Sequence, residues 1–354
     1  MTTSVPVRPL VLTTFAPEPP GHVDNPFTMM LEQAITSVGF DTQRFTWKTA
    51  ILGSYAIFHV HWPDSLVRGG STLRSLVKCL MLAVLLLRLD LRKTRVVRTV
   101  HNLEPHESLN SAQKLLLRRL DRMTDYRIYL SASSMAEPCG EHASIIKMGR
   151  YTEWFADMNP VTMASTVVDK FGPELLFFGM VRPYKGVEDL IEAFAACDFP
   201  VQLRVVGKAK DEHYGDQLLQ RTAELAHALL DLRFVDDNEL WDVIKRADLV
   251  VLPFRNITNS GSLILALNAG KRVLMPDSPL AREMVEEFGS EWVCTYSGEL
   301  APQVIKGALS HLDDTARFPN GPDMPDRDWA VIGAQHADVY NSLLAGPDSS
   351  PTAD

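Results

Sequence analysis

The sequence predicts an α/β protein of two domains, each built on a parallel sheet, and three observations carry that prediction. The chain has 354 residues, long for one domain and comfortable for two. Short apolar runs alternate with helix-length segments along its length, the pattern of repeated strand–helix units. In the clearest unit, the apolar run Leu175 to Phe178 reads as a buried parallel strand. It is followed at Val187, Leu190, Ile191 and Phe194 by the i, i+3, i+4, i+7 spacing of a helix laid on a sheet.

Composition narrows the class. Hydrophobic residues make up 46% and charged residues 22%, ordinary for a globular chain. Cys79, Cys139, Cys197 and Cys294 lie far apart with no C-x-x-C pair, so they read as reduced thiols of a cytosolic protein, not a zinc site or a disulfide frame. The N-terminus lacks a charged region followed by a long apolar core and reads as a first strand, not a signal peptide. The net charge of −9 is uneven: residues 1–165 carry 18 Lys+Arg against 14 Asp+Glu, a net of +4, and the remainder 17 against 30, a net of −13. A basic first half suits an anionic surface or a lipid-phosphate acceptor, and is too weakly basic for general nucleic-acid binding.

In order, Pro9 to Phe15 is the first strand, followed by a Pro- and Gly-punctuated loop containing Gly21. Asn25 and Pro26 form an N-cap and N1 pair for a helix whose apolar face is Phe27, Met30, Leu31, Ala34, Ile35 and Val38, with Gly39 stopping it. Phe40 to Trp47 reads as a second strand and Tyr55 to Trp62 as the next. His59 and His61 share one face of it, at the strand's C-terminal edge where open α/β sheets bind ligands. Leu80 to Leu87 is an unbroken apolar run of eight, too short to span a bilayer, which needs about 20 residues. Between 68 and 98 there are eight basic residues against one acid, Asp90. That stretch reads as a core helix with a solvated basic rim, and the rim, helped by Lys114, Arg118, Arg119 and Arg122, as a surface for peripheral membrane contact.

Val96 to Val100 is a strand that delivers His101, Asn102, Leu103, Glu104, Pro105, His106 and Glu107 at its C-terminal end, the richest titratable cluster of the first half. Glu107 is the first candidate for a general base, with Glu104 and Asp64 behind it. The other reading of Glu107 is a charge in a helix's first turn. Leu115 to Leu120 is helical, Asp125 to Leu130 is a strand, and Ser131 to Ser134 opens a helix.

Between Gly179 and Gly186 lies a turn holding Arg182 and Lys185. A strand, a basic turn and a helix N-terminus together make an anion site, Arg182 giving bidentate geometry to a phosphate and Lys185 a point charge. A surface turn that happens to be basic is the other reading. Val201 to Gly207 is a strand with Lys208 just beyond it, and Glu212 to Leu230 is a helix. Leu232 to Val235 is a strand ending in Asp236 and Asp237, which read as a helix cap. Asp248 to Phe254 is a buried strand. Asn259, Ser260, Gly261 and Ser262 then precede an apolar helix ending at Gly270, a second phosphate cradle. Arg272 to Met275, Pro279 to Phe288, Trp292 to Tyr296, Gly298 to Leu312 and Trp329 to Leu344 read as strand, helix, strand, helix and terminal helix.

The turn from Gly179 to Gly186 resembles the donor-phosphate segment of GT-B-fold glycosyltransferases, in a variant with the Arg three residues before the Lys that resembles bacterial exopolysaccharide and β-mannosyltransferase-like members. The resemblance covers most of the chain and is strongest from Leu175 to Phe288. It implies two Rossmann-like domains facing a cleft. The first, 1–157, binds the acceptor; a linker, 158–173, leads to a nucleotide-sugar domain, 174–328. A helix, 329–345, returns to the first domain, and 346–354 is a disordered tail. By the same resemblance His101 lies near the donor sugar, and Arg182, Lys185, Lys208 and Asn259 to Ser262 bind the donor.

The resemblance further implies a hexose donor, with GDP-mannose first and UDP-sugars next, a glycan or lipid-linked acceptor, and a cytoplasmic enzyme at the inner face of the membrane. One departure stands out. Retaining relatives carry two Glu eight positions apart around this apolar helix; aligned by Ala269, Gly270 and Lys271, the second position here is Leu265, and no Glu lies in 255–270. That absence points to inversion. The single Asp-x-Asp triplet, Asp326 to Asp328, sits before the last helix and reads as a cap, so no metal and no cofactor are expected. A retaining transferase and a non-catalytic partner protein remain the rival readings.

Overall fold

The computed structural model describes residues 8–15, 25–101, 109–135, 142–156, 171–255, 259–312 and 321–345. The chain divides into two compact units, residues 1–149 with 325–354, and residues 150–324.

The first unit is a six-stranded parallel sheet in the order β2-β1-β3-β4-β5-β6, with β1 Leu10–Thr13, β2 Asp41–Arg44, β3 Ile57–Val60, β4 Arg95–Val100, β5 Tyr126–Tyr129 and β6 Ala143–Ile145. Every residue of β3 is buried, as a central parallel strand must be when helices cover both faces. Parallel crossovers are right-handed. The step from β1 back to β2 therefore puts α1 (Pro26–Ser37) on one face, and the forward steps put α2 (Trp47–Leu52), α3 (Thr72–Arg92) and α4 (Ser111–Arg122) on the other. The Asn25 carboxamide caps α1 by accepting from the Phe27 N–H at 3.1 Å, with Pro26 at the first helical position. The terminal helix, α12 (Trp329–Ala345), packs on α1.

The second unit carries β7 Glu174–Phe178, β8 Gln202–Val206, β9 Ala228–Asp231, β10 Leu249–Val251, β11 Val273–Pro276 and β12 Val293–Tyr296, all parallel, in the order β12-β11-β10-β7-β8-β9. The chain winds outward from β7 to β9, returns to β7's other side, and winds outward again to β12. Its helices are α5 (Thr152–Ala156), α6 (Val187–Ala195), α7 (Glu212–Thr222), α8 (Asp237–Arg246), α9 (Gly261–Asn268), α10 (Pro279–Phe288) and α11 (Pro302–Leu309). The order reverses between β7 and β10, and ligands of such sheets sit at the carboxyl ends of the strands flanking that reversal.

Several elements differ from the sequence expectation. Trp47 opens α2 instead of ending β2, because the Thr46 hydroxyl caps the Thr49 N–H at 3.1 Å. The helix placed at Glu212 to Leu230 stops at Thr222, and the strand placed at Leu232 to Val235 is β9, four residues earlier. A short apolar run such as Ala228 to Leu230 has no period that separates a helix end from a strand. Ser131 to Ser134 forms a 3-10 turn, not the start of a described helix. The boundary expected at 157 falls after Gly149 because α5 packs within the second unit: Phe155 stacks on Trp241 at 4.4 Å and Trp154 Nε1 donates to Asp237 at 2.9 Å. Pro325 to Asp328 belongs with the first unit, where Arg327 donates to the Met148 carbonyl at 3.0 Å. The linker and tail expected at 158–173 and 346–354 lie largely or wholly outside the described residues.

Candidate functional site

The second unit gathers its candidate residues at the β7/β10 reversal. Gly179 follows β7 with φ +111°, and a methyl group there would stand 3.1 Å from Ser262 Oγ and 3.5 Å from Lys185 Nζ. Lys185 and Ser262, 77 residues apart in the chain, therefore converge on one bare stretch of backbone. Gly207, at the end of β8 with φ +140°, passes so close that a Cβ would lie 1.9 Å from the Gly179 carbonyl oxygen. Side chains are excluded from both strand ends, which leaves backbone accessible to a ligand.

Lys185 is half-buried, its ammonium 4.9 Å from the centre of the Phe254 ring. Burial, and then the neighbouring Arg182 guanidinium, bring its pKa down to about 8. Arg182 itself reaches the Met180 sulfur at 3.8 Å. Among the described residues, no carboxylate forms an ion pair with either cation. Two unanswered positive charges beside a glycine-lined backbone suit an anion of two charges.

The two helix ends differ. The first turn of α6 carries Glu188 and Asp189, with Asp189 ion-paired to Arg255 at 2.7 Å and Glu188 accepting from the Tyr214 hydroxyl at 2.7 Å. That end already meets negative charge. The first turn of α9 carries no acid. There Ser260 is the cap, its hydroxyl accepting from the Leu263 N–H at 3.1 Å, which leaves the Ser262 hydroxyl as the side chain that faces Gly179. Asn259 precedes these two serines and Gly261 lies between them. Lys208 is exposed, and its carbonyl accepts from the Val181 N–H at 3.0 Å, tying the end of β8 to the turn before Arg182.

In the first unit, His101 directly follows β4 and is buried. Its Nε2 lies 3.1 Å from His61 Nδ1, Trp62 stacks on it at 4.4 Å, and Phe27 meets it edge-on at 5.6 Å. Burial lowers its pKa to about 3, so the ring is neutral across the physiological range. His61 is also held neutral by burial, and its Nε2 has no hydrogen-bond partner among the described residues. Two residues earlier on the same face, His59 bonds Tyr340 at 2.7 Å and Thr99 at 2.8 Å. Asp64 lies in a 3-10 turn with its carboxylate 3.7 Å from Arg68 Nε. Glu107 and Glu104 lie outside the described residues. Asp326 pairs with Lys147 at 3.2 Å, and the Asp328 carboxylate accepts from the Ala330 N–H at 2.8 Å, as an N-cap does.

Trp62, Phe254, Tyr340 and His336 are the site neighbours that the sequence did not single out. An aromatic directly after His61 and one directly after Pro253 were visible signals. The terminal-helix pair had none, because nothing local ties residue 340 to residue 59.

Residues 172–310 match the family model described as glycosyl transferases group 1. Over 337 residues, 95% of this chain and 93% of the relative, the sequence is 34% identical to a GDP-mannose:glycolipid 4-beta-D-mannosyltransferase of Xanthomonas campestris pv. campestris. Among solved structures, Anabaena HepE in complex with UDP-glucose superimposes with a TM-score of 0.62 at 16% identity, over 95% of this chain and 98% of that one. Sucrose-phosphate synthase of Thermosynechococcus elongatus does so at 0.63 and 14%, over 96% and 100%. At those identities the two structures speak for the fold alone. Two parallel six-stranded sheets, a basic turn at the second sheet's reversal and a relative aligned over nearly its whole length make this chain a GT-B-fold glycosyltransferase, a member of the group 1 glycosyl transferases.

Proposed function

We propose that this enzyme transfers mannose from GDP-mannose to a glycolipid acceptor during polysaccharide assembly, with inversion at the anomeric carbon. The observation that carries this reading is the 34% identity to an enzyme named for that donor and acceptor class. GDP-mannose carries an α-linked sugar, and that relative's name specifies a β-linked product, which requires inversion. Leu265, standing where retaining relatives carry a Glu, agrees.

In the step proposed, the acceptor hydroxyl oxygen bonds to mannose C1 as the bond from C1 to the β-phosphate oxygen breaks. The hydroxyl proton passes to a carboxylate, Glu107 by preference, and GDP departs with its electron pair. Negative charge grows on the departing oxygen, and stabilising that charge is the largest task. Arg182, Lys185 and the Ser262 hydroxyl are assigned to it, so that transfer proceeds without a divalent cation. Asn259, Ser260, Gly261 and Lys208 shape the surrounding donor site. His101, neutral and packed between Trp62 and Phe27, serves as a hydrogen-bonding group towards the sugar, not as a cation. A glycolipid acceptor places the enzyme at the membrane's cytoplasmic surface.

The test is transfer from labelled GDP-mannose to a glycolipid extract in the presence of EDTA, with the anomeric configuration of the product read by NMR. A β-linkage is expected. Glu107→Gln should bind GDP like the wild type and transfer nothing. An α-linked product, or transfer from UDP-sugars in preference, contradicts the reading.

A further inference from the structure

Helix α3 is apolar on two opposite sides. Leu82, Leu85, Leu86 and Leu89 are buried in the core of the first unit. Leu73, Leu76, Val77, Leu80, Val84, Leu87 and Leu91 are 44% to 74% exposed. At about 3.6 residues per turn, the second set projects within an arc of about 100°, away from the buried set and along the whole 21-residue helix. The neighbouring α4 adds Leu115, 65% exposed. Soluble proteins seldom leave a continuous stripe of this kind uncovered, and where they do it marks a meeting surface.

Charge selects the occupant. Arg74, Arg92 and Lys93 on or next to α3, and Lys114, Arg118 and Arg122 on α4, are all exposed beside the stripe. A second copy laid on this face would bring two cationic surfaces together. A bilayer surface of anionic phospholipid answers both features, taking aliphatic side chains at the acyl boundary and cations at the phosphates. Among the described residues no helix is long and apolar enough to cross a membrane, so the contact is lateral. A groove of about 580 Å³ opens beside the first turns of α3, lined by Trp47, Leu73, Val77 and Met81 together with Arg74 and Lys78. It shares Leu73 and Val77 with the stripe, and with Arg68 it sets three cations next to apolar walls, the chemistry of a phosphate with an acyl chain attached.

We infer that the outward face of α3, with this groove, docks the first unit on anionic phospholipid. The inference deepens, and rests on, the reading that the acceptor is carried by a lipid. Flotation of the full chain with phosphatidylcholine vesicles, with and without phosphatidylglycerol, tests it. The wild type floats with the phosphatidylglycerol vesicles, and high salt weakens the association. The triple variant Leu76→Glu, Leu80→Glu, Leu87→Glu loses at least about tenfold of the partitioning. Arg74→Gln with Lys78→Gln lowers the preference for phosphatidylglycerol.

These side chains already face water, so the thermal unfolding of the triple variant should match the wild type. Leu115→Glu on α4 gives an independent weakening should the triple variant unfold. Wild type that fails to float, or a triple variant that floats unchanged, overturns the inference. So does a wild-type dimer that the triple variant splits, since a second copy then covers the face. Transfer to a detergent-solubilised glycolipid separates this from the proposed activity. The triple variant keeps it if docking alone is lost, and a wild type that floats but transfers nothing refutes the activity while leaving docking in place.

Discussion

Arg182 and Lys185 stand on one turn of the second unit, each adding to the other's positive field, with the Lys185 ammonium resting over the Phe254 ring. The apo protein holds these charges at a cost. The folded pKa of about 8 lies below the ordinary 10.5, so between those values the unfolded chain binds the extra proton. Stability of the apo enzyme therefore rises with pH from about 8 to 10.5, and the penalty is complete below 8. Replacing Lys185 with Met should raise the apo melting temperature at pH 7 by about 2–4 °C. The same substitution should abolish the further rise that GDP gives the wild type, both being read by calorimetry.

A second prediction concerns the crossing of Gly179 and Gly207. Gly207→Ala puts a methyl group 1.9 Å from a carbonyl oxygen at a φ that side chains avoid. Two strand ends must then separate, and a loss of roughly 3 kcal/mol or more is expected in urea unfolding.

The buried histidines of the first unit make it acid-sensitive. His101 and His336 have pKa values lowered by burial to about 3 and about 4, and His59 and His61 are lowered too. Below about 6.5 the unfolded chain gains protons that the folded unit refuses, so stability is whole above that pH and falls as pH drops towards 4. His336, whose Nδ1 bonds the Ile332 carbonyl at 2.8 Å within its own helix, is the simplest to remove. His336→Leu should cut the slope of stability against pH by about 1.4 kcal/mol per unit between pH 4.5 and 6, the value of one proton. Titration of unfolding midpoints across that range measures it.

Tyr340→Phe removes the hydroxyl 2.7 Å from His59 Nδ1 and leaves a fully buried ring nitrogen without that partner. A loss of about 1–3 kcal/mol is expected in denaturant unfolding, with GDP affinity unchanged because the change lies in the other unit.

What the sequence could reveal followed from how local the cause was. The β7–α6 unit was legible because an apolar strand, a glycine-bounded turn and a helical stripe each carry their own period. Asn25 and Pro26 announced α1 for the same reason. Ala228 to Leu230 did not declare itself, since three apolar residues before Asp231 fit a strand and a helix end equally. The run from Leu80 to Leu87 showed that α3 is apolar but could not show which side the sheet covers; α2, α4 and the strands decide that, and they leave seven aliphatic residues outside. At the candidate site, Arg182 and Lys185 stood out as charges in a turn. That Ser262, and not the capping Ser260, faces Gly179 depends on the helix phase set by the cap.

Under the proposed function, Arg182, Lys185 and Ser262 hold the donor's diphosphate. Titration calorimetry of GDP against the wild type and Arg182→Ala, each with EDTA, tests it most directly. Loss of one charge-assisted contact should weaken binding by about 1.5–3 kcal/mol, on the order of 10- to 150-fold. Undiminished GDP affinity in Arg182→Ala, or wild-type binding that vanishes with EDTA, would contradict the account.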